Sequence, residues 1–403
     1  MTAPPLTFIP DLLELHFEEL QFLWARRRAA LRSPQQTART LAALDERVEA
    51  HTQGMLVVGA KMLPLVEPSL TEGGPDAAFA AAYALLRAGD PALAARVVDA
   101  VPNASPKARR GLAEALRHAH NPAVHASLAA LARSGEPAHV ALALEVFAFR
   151  GALQAEAVGP TLDALLAHDD GAVRAAAWRV ATYLCAPVDP KHYSAALADD
   201  PPGLRVAALE AAAWARVPGV VAYARQAAAR PAPETLDALR LLAVLGGPDD
   251  ARRVAAVVRV PELGPARFAC AGASGRPELV EPLIAEMAGD DAATAVAAGA
   301  TFAKLTGHDV TSTRTAEVTV DEDLTDTVAL PDPERARAVW GKLAPALAGA
   351  ERICGGIDVA RPIDADAAAR MDMESRWDLF LRARYLNTWH GLPAQLEVLA
   401  PRA

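Results

Sequence analysis

Aromatic side chains are scarce in this 403-residue chain, at 5% of the total, and there are only five lysines, five isoleucines, three asparagines and three cysteines. Cys185, Cys270 and Cys354 are odd in number and far apart, so no disulfide framework is expected and the chain reads as cytoplasmic. Arg, Asp or Glu interrupts every alanine run before it reaches eighteen or so apolar residues, which excludes a membrane-spanning helix. The opening MTAPPLTFIPDLLELHFEEL lacks a basic start followed by an apolar core, so no secretion signal is expected. Positive charge is also short, with 40 Lys and Arg against 49 Asp and Glu, a net charge of -9. That balance disfavours broad nucleic-acid binding, which depends on cations neutralising phosphates.

What the chain does have is alanine, roughly a quarter of its residues, within a 52% hydrophobic total. Alanine is the best helix former, and its small side chain lets helices approach closely. Helices with small-residue faces are predicted to begin near Phe79, Ala108, Val140, Val173, Leu204, Thr235, Arg267 and Ala295, at spacings of 29, 32, 33, 31, 31, 32 and 28 residues. Between most of them a turn opens a second helix: GDPALAARVV at Gly89, HNPAVHASLAAL at His120, GGPDDARRVAAVV at Gly246 and GRPELVEPLIAEM at Gly275. Proline is tolerated in a first helical turn, where its missing N–H has no partner to lose. A period near thirty residues with two helices per unit predicts an all-α fold, an α-solenoid of about eight helix pairs in which each pair buries its apolar stripe on the next.

Two units are clearest, DDGAVRAAAWRVATYL from Asp169 and DDPPGLRVAALEAAAW from Asp199. Each has acids in the turn, then Arg174 or Arg205, then small apolar residues. This pattern resembles the short HEAT-like repeat of the phycobilisome-lyase type, in which the turn Asp and the helix Arg pair with neighbouring units. The resemblance implies an inter-repeat ladder through Asp170, Arg174 and Arg205, with ligand binding as the alternative.

Three segments fall outside the array of residues 71–305. Residues 1–70 predict a helical hairpin, with one helix from about Pro10 to Leu31, a break at Ser33–Pro34 and a second helix from Gln35 to about Met62. Residues 306–331 alternate β-branched and polar residues around four acids between Asp321 and Asp326, which predicts an acidic insert as a loop or short hairpin. Residues 332–403 predict a last helix and a C-terminal cap, including a helix from about Asp364 to Tyr385.

Catalytic signatures are absent: no phosphate-cradling glycine loop, nucleophile elbow, zinc-spaced cysteine pair or His-Glu-x-x-His. None of the ten histidines precedes glutamate, which disfavours the di-iron hydroxylases among HEAT-like proteins. HEAT-like DNA glycosylases need a basic surface that this acidic chain does not advertise. His118, His120, His125 and His139 fall within twenty-two residues, but no carboxylate or cysteine supports them, so they read as exposed or capping histidines. In the N-terminal hairpin, His16, Glu19 and Arg27 on one helix and Asp45, Arg47 and His51 on the other read as a mutually satisfied structural network. Leaving one such group buried and unpaired costs ~1–3 kcal/mol. A partner contact or a His/Glu/Asp/His metal site can be drawn on the same residues. Trp178 and Trp214 occupy consecutive repeats, with Trp340, Trp377 and Trp389 further on. They read first as core fillers. Exposed, Trp178 and Trp214 would join Arg174 and Arg205 as partner-binding residues, because Trp and Arg dominate interface energy.

HFEELQFLWARR from His16, LAALDERVEAHTQGM from Leu41, and AAGATFAKLTGHDV leading through the acidic insert to LPDPERARAVW resemble a HEAT-repeat family of bacterial conserved proteins encoded beside type VI secretion components. The two N-terminal motifs carry most of that resemblance, whereas MDMESRWDLFLRARYL departs from the family's more regular terminal helix. The resemblance implies a cytoplasmic accessory role in loading effectors or spike components, and supplies no catalytic residue. The resulting expectation is a non-enzymatic scaffold, adaptor or chaperone that binds protein, with no cofactor, metal, nucleic acid or membrane partner. The alternative is a HEAT-like lyase or ligand-binding module with a pocket lined by His16, Glu19, Asp45 and His51.

Overall fold

The computed structural model describes residues 10–321, 324–361 and 365–399. The described chain is mostly helical, and none of its helices is long and apolar enough to cross a membrane. It divides into two units. The first comprises Met1–Arg32, Arg39–Ala215 and Gly391–Ala403, and the second Ser33–Ala38 and Arg216–His390.

The first unit opens with α1 (Pro10–Ala30) and α2 (Ala38–Leu56). Leu13, Phe17, Leu20, Leu23, Trp24, Arg27 and Ala30 of α1 are buried, the three-and-four spacing of a single helical stripe. The second helix is shorter than the sequence predicts. It ends at Leu56 and continues through 3₁₀ turns at Gly59–Met62 and Glu67–Leu70 around the short α3 (Leu63–Val66). Pro64 and Pro68 remove backbone donors there, so an unbroken α-helix cannot run on.

Next come α4 (Pro75–Arg87), α5 (Pro91–Ala100), α6 (Pro106–His118), α7 (His125–Leu131), α8 (Pro137–Phe149), α9 (Ala155–Leu166), α10 (Gly171–Leu184), α11 (Pro190–Asp199) and α12 (Pro202–Trp214). The starts follow the expected chemistry. Asp90, Ser105, Asp170 and Asp189 accept from the N–H two or three residues on, and proline stands at the first helical position after Asp90, Ser105 and Asp189. Each such cap contributes ~1 kcal/mol. Alternate helices lie side by side in sequence, α4 on α6, α6 on α8, α8 on α10 and α10 on α12. The approach is closest at Gly111, where an added Cβ would stand 2.1 Å from the Pro75 carbonyl oxygen. The small faces that make this possible include Ala78, Ala80, Ala81, Ala82 and Ala84, all fully buried.

The second unit repeats this order with α13 (Gly219–Ala229), α14 (Leu236–Leu245), α15 (Ala251–Val258), α16 (Arg267–Ser274), α17 (Val280–Met287) and α18 (Ala292–Thr306). Again α14 packs on α16 and α16 on α18. The insert is an antiparallel hairpin of β1 (Thr311–Asp321) and β2 (Leu324–Pro331) that packs on α18. Glu322 and Asp323 of the acidic cluster lie outside the described residues. Then follow α19 (Pro333–Leu343), the short pair β3 (Ile353–Cys354) and β4 (Ile357–Asp358), α20 (Ala365–Arg370) and α21 (Met373–Tyr385).

The β3–β4 turn explains Gly355 and Gly356, whose φ values of 57° and 76° suit glycine in a tight hairpin. Their N–H groups donate to the Lys304 and Leu305 carbonyls at the end of α18, while Ile353 donates to the Gly275 carbonyl after α16. The Arg352 guanidinium, buried, donates to the carbonyls of Ala243 and Gly246. The hairpin thus satisfies helix-end carbonyls that would otherwise lack partners. Helix α21 is held by Arg240 and Lys304, paired with Asp378 and Glu374. The terminal α22 (Ala394–Glu397) is part of the first unit. The sequence placed residues 391–399 in one cap with 332–390; the structure divides them between units.

Candidate binding groove across α6, α8 and α10

The N-terminal halves of α6, α8 and α10 border a cavity of about 240 Å³ within the first unit. Its floor is apolar and small, with Ala113, Ala141, Leu142, Val173 and Ala176, and its polar lining includes Arg109, Arg110, Arg179, Glu145 and Asp170. Arg110 and Arg179 keep 57% and 40% of their side chains exposed. Arg109 donates to the Ala104 carbonyl, a neutral acceptor, so its charge is not cancelled by that contact. Asp170 is committed to capping α10 through the Ala172 N–H.

Glu145 is the buried pivot of this site. Its Oε1 accepts from Arg117 at 3.0 Å and its Oε2 from Arg179 at 2.9 Å. Burial pushes its carboxyl upward, but Arg179 and Arg117 outweigh that effect and hold it below the usual carboxylate range. Behind it, Arg117 also donates to the Tyr183 hydroxyl at 2.5 Å, and that hydroxyl donates to Glu397 Oε2 at 2.9 Å. Burial, partly opposed by Arg117, drives the Tyr183 phenol well above its ordinary value. The network therefore keeps Arg117 charged and Tyr183 neutral.

An aromatic wall flanks these charges. Trp24 stacks on Phe79 with centroids 3.5 Å apart, and His118 stands edge-on to both Trp24 and Phe149. Trp24 donates to Glu114 Oε2 at 2.6 Å, an acceptor shared with Arg28. Burial and the nearby Arg27 and Arg117 hold the His118 imidazole well below its ordinary value. His118 is therefore a neutral packing residue, neither exposed nor capping as its sequence context suggested. His120 and His125 are exposed and His139 is half-buried.

The chain matches no known family model, no curated protein and no solved structure. The groove must be read from its own chemistry.

The residues singled out from sequence fall in different places. Trp178 and Trp214 are 1% and 0% exposed. As partner-binding residues they are corrected to core fillers, because a side chain sealed in the core cannot reach another protein. Arg174 bridges repeats, donating to Asp200 Oδ1 at 2.6 Å and to the His168 carbonyl at 2.7 Å. Asp200 lies in the turn before α12, whereas Asp170 accepts from the Ala172 N–H of its own helix. Arg205 is half-buried on α12. Neither arginine lines the groove.

The N-terminal hairpin residues form three separate pairs. Arg27 binds Asp45 at 2.6 Å, Arg47 lies 3.6 Å from Glu19, and His16 Nδ1 is 3.1 Å from His51 Nδ1. With Asp45 and Glu19 engaged by arginines, His16, Glu19, Asp45 and His51 do not converge on one point. Among the described residues, no group of three or more His, Cys, Asp or Glu could hold a metal ion.

Sequence reasoning missed Arg109, Arg110, Arg117, Glu145, Arg179, Tyr183 and Glu397. One signal was available. In HVALALEVFAF Glu145 is a lone acid within an apolar helix, and an acid there requires a buried cation. Two other cavities offer less. A depression of about 840 Å³ beside α5 is lined by Glu67, Arg96 and Asp99, with Arg96 paired to Glu67. A space of about 30 Å³ beside Arg352 and Asp378 has room for roughly one water.

Proposed function

We propose that the chain is a non-enzymatic protein-binding scaffold, a HEAT-like α-solenoid whose α6–α8–α10 groove takes an acidic segment of a partner protein. The observation that carries this reading is the combination of exposed Arg110 and Arg179, and Arg109 beside them, with an alanine floor that lets a backbone approach closely. Guanidinium groups suit carboxylates because their fork of donors matches two oxygens, and arginine is enriched among interface hot spots. The thirty-residue period and the side-by-side order of alternate helices support the solenoid assignment. A nucleic-acid groove fits less well, because Glu145 and Asp170 sit in the lining and the chain's charge is -9. The resemblance of the N-terminal motifs suggests a type VI secretion effector, adaptor or spike component as the partner.

The test is affinity purification of the tagged full chain from its own cells, wild type beside Arg109→Glu/Arg110→Glu. A protein recovered by the wild type and lost from the charge-reversed chain is the expected result. Recovery of the same proteins by both, or of none by either, overturns the proposal.

A further inference from the structure

Residues 392–399, LPAQLEVL, belong to the first unit, and their Glu397 reaches the buried charges behind the groove. The hold on this segment has two parts. Tyr183 donates to the carboxylate at 2.9 Å, with Arg117 4.0 Å away, and Arg27 Nη2 donates to the Glu397 backbone carbonyl at 2.8 Å. Leu399 packs against the apolar core of the same unit. A carboxylate, its own carbonyl and a following apolar side chain are together what a peptide-binding cleft reads.

We propose that this segment is a displaceable ligand bound in cis, and that the cleft formed by Arg27, Arg117, Tyr183 and His118 accepts a glutamate-bearing apolar peptide segment from a partner in its place. The inference deepens the scaffold reading and rests on it, since Glu145 joins the cleft to the groove through Arg117 on one side and Arg179 on the other.

Three observations support it. The first is charge. Arg117, 8% exposed, shares the carboxylate of Glu145 with the more exposed Arg179, so removal of Glu397 takes the second carboxylate away from a buried guanidinium. An empty cleft therefore demands an anion. The second is spare donor capacity. Arg27, 1% exposed, has its Nη1 sealed from solvent without a partner, as do Arg117 Nε and His118 Nδ1. Arg27 and Arg117, which hold the tail, thus have unused polar atoms, and so does His118 beside them. The third is the tail's weak structure. Helix α22 is four residues long and starts after Pro393, far below the ~12–15 residues at which a helix becomes stable alone. Val398 beside it is 48% exposed. The segment is not part of the α4–α12 row.

The test uses the full-length chain and a fluorescein-labelled LPAQLEVL peptide, followed by fluorescence anisotropy. In the wild type the attached tail competes, so binding in trans is weak. Glu397→Lys places a cation against Arg117, expels the tail, and is expected to tighten peptide binding at least tenfold. Glu397→Gln keeps the side-chain volume, guards against a folding defect and shifts binding in the same direction. A peptide with lysine in place of its glutamate binds none of the chains. If the folded Glu397→Lys and Glu397→Gln proteins bind the peptide no more tightly than wild type, the tail is a fixed structural strap and the inference is overturned. That outcome leaves the scaffold reading to be judged separately by Arg109→Glu/Arg110→Glu, neither of which touches Glu397.

Discussion

At the scale of single residues, burial decides which charges matter. Glu145 and Arg110 are both charged residues beside the groove, yet Glu145 is 2% exposed and Arg110 keeps 57% of its side chain in water. Glu145→Gln keeps the shape but leaves Arg117 without its carboxylate. We expect a loss of ~3–5 kcal/mol, because the surviving cation stays buried with its nearest remaining carboxylate, Glu397, 4.0 Å away. Arg110→Ala should cost less than ~1 kcal/mol, as exposed ion pairs do. Urea denaturation of the two variants checks both values. The pH response also has a residue-scale origin. Burial, Arg27 and Arg117 hold His118 well below its ordinary value, so the folded chain resists a proton that the unfolded chain accepts. Between the depressed folded value and about pH 6.5 the unfolded state binds more protons, so stability rises with pH and falls on acidification. Thermal melts from pH 7.5 down to pH 5 should show this fall, approaching ~1.4 kcal/mol per pH unit below the ordinary histidine value. His118→Phe, which retains the edge-on packing between Trp24 and Phe149, should remove that contribution.

At the scale of elements, helix starts were legible and helix neighbours were not. The predicted starts near Ala108, Val173 and Arg267 fall within a few residues of the starts of α6, α10 and α16, and Asp90, Ser105, Asp170 and Asp189 cap their helices through local hydrogen bonds. Gly111 gave no such signal. Its need for glycine comes from Pro75 and Phe79, more than thirty residues away, and only the packed pair reveals it. An added methyl would meet the Pro75 carbonyl at 2.1 Å, so Gly111→Ala must push α6 away from α4. A loss of at least ~2 kcal/mol, visible as a lower urea midpoint, is expected despite alanine's better helix propensity. The same reasoning applies to Gly299, where the added methyl would stand 2.8 Å from Pro331 of the hairpin. Likewise, Arg352 reads in sequence as one arginine among many, and its part in capping two helices depends on a chain reversal that composition cannot show.

At the scale of the whole molecule, the repeat period was plain in the sequence, but where the units divide was not. Eight regularly spaced helix starts suggest an array from 71 to 305, and that spacing does not show the division into two units between Ala215 and Arg216. Nothing local marks that division, since it depends on the balance of contacts on either side. Trp178 and Trp214 are the core fillers that their first reading makes them, because a small-residue core has gaps that large rings fill, and their burial removes the partner-binding alternative. The net charge misled in the other direction. An average of -9 concealed a groove bordered by Arg109, Arg110 and Arg179, because composition sums charge without placing it. The measurement that tests the central claim most directly is the affinity of the recovered partner for the purified chain and for Arg109→Glu/Arg110→Glu, by titration calorimetry at fixed salt. Acidic-segment binding in the groove predicts at least a tenfold loss, about 1.4 kcal/mol. Equal affinity for the two chains would contradict it.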